Sequence, residues 1–109
     1  MTSPTRLGLG VHTSSSVAEI VQLGLTSEEK GFDSVWLSED PYFRDLFSIA
    51  AILGRSTKRI QICAGIANYY SRHPVYMAMT AATLGEICNN RFVLGLGRNV
   101  KSVIEGQLG

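Results

Sequence analysis

The chain has 109 residues, 45% hydrophobic and 17% charged, which suits one small domain with a core and is too short for two. Ten basic and nine acidic side chains leave a formal charge of +1, so no cationic footprint points to nucleic acid. No apolar run reaches the ~18 residues of a membrane-spanning helix, the polar start Met1–Arg6 lacks a signal-peptide core, and Cys63 and Cys88 make neither a disulfide framework nor a zinc spacing.

Arg6–Val11 is a short apolar run that reads as a first strand, followed by the polar turn His12-Thr13-Ser14. Ser16 with Glu19 three residues on is a capping box, and Val17, Ile20, Val21 and Leu25 keep helical spacing after it. Gly24, Thr26 and Ser27 weaken this helix by propensity, and Gly31 stands where a left-handed C-cap is expected. Asp33–Leu37 reads as a second strand. Asp40 before Pro41 has the pattern of an N-cap followed by a first helical proline, which predicts a helix carrying Phe43, Leu46, Phe47, Ala50 and Ala51 and stopping near Gly54. Arg59–Ile66 is the third strand, Asn68 to His73 a loop, and Pro74 opens a third helix through about Ile87. Asn89-Asn90 makes a turn, Arg91–Leu96 is the fourth strand, and Val100 to Leu108 is a last helical stretch.

The alternation βαβαβαβα implies an α/β fold, (βα)4, with a parallel sheet and right-handed crossovers. Two architectures fit: a small open doubly wound sheet, or part of a (β/α)8 barrel, which needs ~250 residues. Residues 1–109 read as a single domain, and four units make about half of such a barrel. Half a barrel leaves open sheet edges and an uncovered inner face, so a homo-oligomer is expected. The ending Glu105–Gly109 has no clear terminal tail, and the chain reads as unfinished.

In parallel α/β folds, ligands bind beyond the C-terminal strand ends. Four polar loops fall there: His12–Ser14, Ser38–Asp40, Ala67–His73 and Gly97–Asn99. His12 has two readings, a ligand or acid/base group and an ordinary loop histidine. Glu39 and Asp40 are adjacent carboxylates that suit acid/base work if their environments differ, or else a solvated side chain beside an N-cap. His73 reads as a helix-entry residue and Trp36 as packing. Gly8-x-Gly10 and Gly95-x-Gly97 do not complete G-x-G-x-x-G, because Thr13 and Val100 stand at the third position. Gly95 and Gly97 either admit a cofactor to the backbone or pack strand on helix. Tyr69-Tyr70 could stack on a flat ring. Cys63 and Cys88 read as buried, unreactive thiols.

Three stretches together resemble the luciferase-like monooxygenase superfamily: Gly31–Leu37 with Ser38-Glu39-Asp40, Ala64–Pro74, and Thr83–Gly97. Within it, the chain is most similar to the branch that uses the deazaflavin coenzyme F420. The resemblance implies the front half of a (β/α)8 barrel, with the cofactor ring across the C-terminal strand ends. It implies a non-prolyl cis bond at Gly65–Ile66 backing the ring, and contacts to the ring's polar edge from the loop with Asn68. His12, Gly95 and Gly97 complete the expected cofactor contacts, with Glu39 and Asp40 as catalytic carboxylates. Many members place Asp-His where this chain has Glu39-Asp40, so a carboxylate is kept and an imidazole is missing. Some place an acid where Val100 stands. The implied activity is hydride transfer between F420 and a small organic substrate. The alternatives are an FMN-dependent monooxygenase and a non-catalytic half-barrel that binds another subunit. No metal site is expected, and the expected setting is soluble and cytoplasmic, without a nucleic-acid or membrane partner.

Overall fold

The computed structural model describes residues 5–109. The polar start therefore lies outside the described residues as far as Pro4. Strands β1 (Gly8–Val11), β2 (Ser34–Leu37), β3 (Gln61–Asn68) and β4 (Phe92–Gly97) alternate with helices α1 (Val17–Glu29), α2 (Leu46–Ser56), α3 (Pro74–Ile87) and α4 (Lys101–Val103), the last running into a π-helical turn, Ile104–Leu108.

Most helix ends follow their local chemistry. Ser16 Oγ accepts from the Glu19 backbone N–H at 3.2 Å and donates to Glu19 Oε1 at 2.9 Å, which is the capping box that starts α1. Gly31 at φ +86° closes that helix in the left-handed region. Pro74 opens α3 behind His73, whose Nδ1 accepts from the Val75 N–H at 3.1 Å. The start of α2 differs from expectation. Asp45, not Asp40, is its N-cap, accepting from Ser48 N at 2.9 Å. Two facts explain the shift: Tyr42 sits at φ +72°, which breaks the helix the proline would have begun, and Asp40 is held elsewhere. The third strand also runs to Asn68, two residues beyond the expected end.

All three strand pairs are parallel, in the order β1-β2-β3-β4. Val11, Val35, Leu37, Ile62 and Ala64 pack into one core with Ile20, Leu46, Ile49, Leu53, Met77 and Leu84 from the helices. Full burial of a side chain such as Leu37 or Ile62 contributes roughly 1.5–3 kcal/mol. The alternate residues face away from that core. There Trp36, 44% exposed, lies across Gly8 and Gly65, and its Nε1 donates to Ser34 Oγ at 2.9 Å. It is a half-exposed side chain on the open face, not the packing residue expected. A sequential sheet order with one helical layer is the arrangement of part of a (β/α) barrel, and it excludes the doubly wound alternative, whose order reverses at a switch point.

The N-terminal end of the sheet is held by one carboxylate that sequence pattern did not single out. Glu28, at the end of α1, accepts from the backbone N–H groups of Lys58 at 3.0 Å, Arg59 at 2.7 Å and Ile60 at 2.9 Å, fixing the turn into β3. Burial pushes its carboxyl up, but these three donors and the Arg59 guanidinium outweigh it and hold the group below its ordinary value of 4.5. The unfolded chain therefore takes up this proton at higher pH than the folded chain does. The stability Glu28 contributes is fully present above about 4.5 and is lost as pH falls through the lowered folded value. We expect urea midpoints to show this acid loss in the wild type and a smaller one in Glu28→Gln.

Candidate functional site

The C-terminal strand ends bring most of the expected residues together. Between Ala64 and Ala67 the β3–β4 register shifts, which makes a bulge, and the Gly65–Ile66 bond within it is cis, as the resemblance implies. The two β4 glycines fit this bulge. A side chain at Gly95 would collide with the Ala64 carbonyl, and one at Gly97 would stand 2.6 Å from Ile66 Cδ1. Gly95 thus lets the β3 backbone close on β4, and Gly97 makes room for the Ile66 side chain.

Beyond the bulge, Asn68 is 4% exposed and organises the following loop. Its Oδ1 accepts from Tyr70 N at 3.2 Å, Ser71 N at 3.0 Å and Ser71 Oγ at 2.8 Å, while its Nδ2 donates to Glu39 Oε1 at 2.7 Å. Its Oδ1 and one of its two Nδ2 hydrogens are thus engaged by protein partners. The loop presents Tyr69 and Tyr70, ring centroids 4.8 Å apart. Desolvation and the neighbouring Tyr70 push the Tyr69 hydroxyl above its ordinary 10.0, with Arg98 opposing. Tyr70, Arg98, Asn99, Lys101 and Glu105 line an open cavity of about 500 Å³. Ile66 and Leu96, near the ends of β3 and β4, are both exposed.

The two adjacent carboxylates have separate environments. Glu39 is largely buried, accepts from Asn68 N at 3.0 Å, and pairs with Arg72 through Nη2–Oε2 at 2.7 Å and Nη1–Oε1 at 3.0 Å. Arg72 was not singled out by the sequence. It closes the pair from a loop 33 residues away, with its guanidinium 4.4 Å over the Phe47 ring. Asp40 turns instead toward β1. Its Oδ2 lies 2.9 Å from His12 Nε2 and accepts from Ser38 Oγ at 3.0 Å. His12 is half exposed and edge-on to Phe43. Ser14, in one of the four loops expected to carry ligands, lies against the other ring nitrogen, a contact no sequence pattern marks.

Cys63 and Cys88 are both buried, and burial pushes both thiols up, Arg91 opposing at Cys88. Among the described residues no group of three His, Cys, Asp or Glu side chains could hold a metal ion, and no helix is long and apolar enough to cross a membrane.

Fold and site together define four sequential parallel βα units, as in part of an α/β barrel, with polar groups gathered at one end of the strands. The chain belongs to the luciferase-like monooxygenase family, whose family model matches residues 1–109. It is 32% identical over 90 residues to a 5,10-methylenetetrahydromethanopterin reductase of Methanolobus tindarius, covering 83% of this chain and 28% of the relative. It is 34% identical over 107 residues to an F420-dependent glucose-6-phosphate dehydrogenase of Microbacterium testaceum, covering 89% of this chain and 32% of the relative. Among solved structures, the coenzyme F420-dependent tetrahydromethanopterin reductase of Methanopyrus kandleri superposes with a TM-score of 0.89 at 24% identity, over 96% of this chain and 30% of that one. The oxygenating constituent of 3,6-diketocamphane monooxygenase from Pseudomonas putida, in complex with FMN, superposes at 0.87 with 18% identity, over 97% of this chain and 33% of that one. The chain thus spans about a third or less of the length of the relatives it matches.

Proposed function

We propose that residues 1–109 form the ring-binding part of an oxidoreductase that transfers a hydride between coenzyme F420 and a small organic molecule. The observation that carries this reading is the bulge at the end of β3 together with the loop that follows it. Ile66 is 37% exposed at that bulge, and the loop carries the Tyr69-Tyr70 pair, with Tyr70 lining a cavity beside the Arg98 cation. Such an arrangement suits one face of a planar ring with a polar edge. The F420-dependent glucose-6-phosphate dehydrogenase relative, at 34% identity, favours the deazaflavin over FMN.

In this reading F420 supplies the hydride chemistry and the protein supplies orientation and electrostatics. Gly65 and Ile66 would back the ring, Gly95 keeps the β3 backbone close to β4 there, and Gly97 makes room for the Ile66 side chain. Asn68 fixes the loop at the ring's edge. Glu39 holds that loop through Arg72, which leaves Asp40, paired with His12, as the carboxylate turned toward the reacting end. Titrating the chain with F420 and separately with FMN, followed by ring fluorescence, tests the proposal. F420 binding that is lost in Ile66→Asp supports it. Binding of FMN alone moves the assignment to the monooxygenase alternative, and binding of neither refutes it for this chain.

One feature favours a second reading. Among the described residues β1 and β4 have a single neighbour each, and the face carrying Trp36 is open. Such edges and faces invite association, so a half-barrel that pairs with a copy of itself or another subunit also fits. A dimer in sedimentation equilibrium, with no binding of either cofactor, would select it.

A further inference from the structure

The turn after β1 builds an ordered set of three proton-bearing groups. His12 Nδ1 lies 3.1 Å from the Ser14 backbone nitrogen, whose N–H donates to it. A backbone N–H can only donate, so Nδ1 carries a lone pair and the ring proton resides on Nε2. That proton faces Asp40 Oδ2 at 2.9 Å. Ser14 Oγ lies 2.7 Å from the same Nδ1, and since that nitrogen accepts, the hydroxyl donates to it. The sequence in space is hydroxyl, imidazole, carboxylate.

Neighbours hold the set in place. Arg44 Nη1 donates to the Ser14 carbonyl at 2.9 Å, and the Arg44 N–H donates to the Thr13 carbonyl at 3.3 Å. Ser38 Oγ donates to Asp40 Oδ2 at 3.0 Å, and the Phe43 ring stands edge-on to the imidazole at 5.3 Å. Glu39, the nearest other carboxylate in sequence, is taken by Arg72. Asp40 is thus the carboxylate that meets the ring.

We infer that Ser14, His12 and Asp40 form a proton relay with Ser14 Oγ as its outlet at the C-terminal end of β1. A bound hydroxyl or amine gives its proton to Ser14 Oγ. The original Oγ–H bond breaks and that proton takes the His12 Nδ1 lone pair, so the Ser14 backbone N–H gives up its hydrogen bond to that nitrogen. The resulting imidazolium keeps its Nε2–H against the Asp40 carboxylate, which stabilises the charge. The reverse sequence delivers a proton, and no electron changes hands in either direction. The relay rests on the proposed function only for the identity of its client, a molecule that gains or loses a proton as its carbon exchanges a hydride.

Both measurements use the 109-residue chain without cofactor. The chain holds two histidines, so a long-range proton–nitrogen spectrum is assigned with one His73→Asn variant. The expected neutral form has Nδ1 bare and Nε2 protonated, with the Nε2–H signal displaced in Asp40→Ala. A protonated Nδ1, or an Nε2–H signal indifferent to Asp40→Ala, overturns the relay. The second measurement is phosphorylation by diisopropyl fluorophosphate, located by mass spectrometry. Ser14 Oγ attacks phosphorus, fluoride leaves, and the hydroxyl proton passes to Nδ1. Labelling of Ser14 should fall by about a hundredfold in a folded His12→Gln variant. Equal labelling in that variant, or none at Ser14 in the wild type, overturns the inference. Neither arm contains F420, so either failure leaves the cofactor titration to judge the hydride reading separately.

Discussion

Replacing Glu39 by alanine lowers the stability of the chain by about 3 kcal/mol. The carboxylate is 13% exposed and its partner Arg72 is 23% exposed, so both ions are mostly out of water. Removing Glu39 leaves Arg72 with only its longer contact to the half-exposed Asp45 at 3.5 Å, and it also leaves the Asn68 N–H and Nδ2 donors without their acceptor. Glu39→Gln should recover little, because an amide neither neutralises Arg72 nor takes as many donors. The Glu39→Ala/Arg72→Ala double variant should be less destabilised than the sum of the two singles, since it removes the stranded charge. Urea melts of the four proteins measure that coupling. A strictly additive cycle would contradict a working ion pair.

Arg91→Ala should cost about 3 kcal/mol, which in a domain of this size lowers the melting temperature by roughly 12–20 °C. One guanidinium there gathers four acceptors: Thr57 Oγ1 at 2.8 Å, Ile60 O at 2.9 Å, Gly54 O at 2.8 Å and Thr57 O at 3.1 Å. Two of these are carbonyls at the end of α2, where the helix lacks internal donors and favours a cation. The side chain ties that helix end to the starts of β3 and β4. Arg91→Lys should recover less than half of the loss, because a single ammonium cannot span the set a planar fork reaches. Scanning calorimetry of both variants decides it, and full recovery by lysine would show that charge alone matters.

Elements defined by neighbours in sequence were legible in it. The Ser16–Glu19 box, Gly31, Pro74 and the Asn89-Asn90 turn each act within a few residues, and each is where the pattern placed it. Asp40-Pro41 misled because its local pattern is a good cap, while the competition that overrides it is long-range. His12 arrives from β1 to take the carboxylate, and Asp45, three residues before Ser48, caps α2 instead. The β3 bulge adds residues without changing the apolar pattern, so the strand read two residues short. At the candidate site the loops were foreseeable, because topology puts them at one end of the sheet. Which side chains meet there was not. Glu39 with Arg72, His12 with Asp40, and Glu28 with the turn at Lys58 join residues 28 to 33 apart, at spacings no periodicity marks.

Trp36 is the sole tryptophan of the chain, and it lies on the open face of the sheet at 44% exposure. The near-ultraviolet emission of this protein is therefore a report from one place. Whatever comes to lie over that face, whether further strands, a second copy or a small molecule, strips water from the indole and shifts its emission to shorter wavelength. Events confined to the helical side leave the signal where it was.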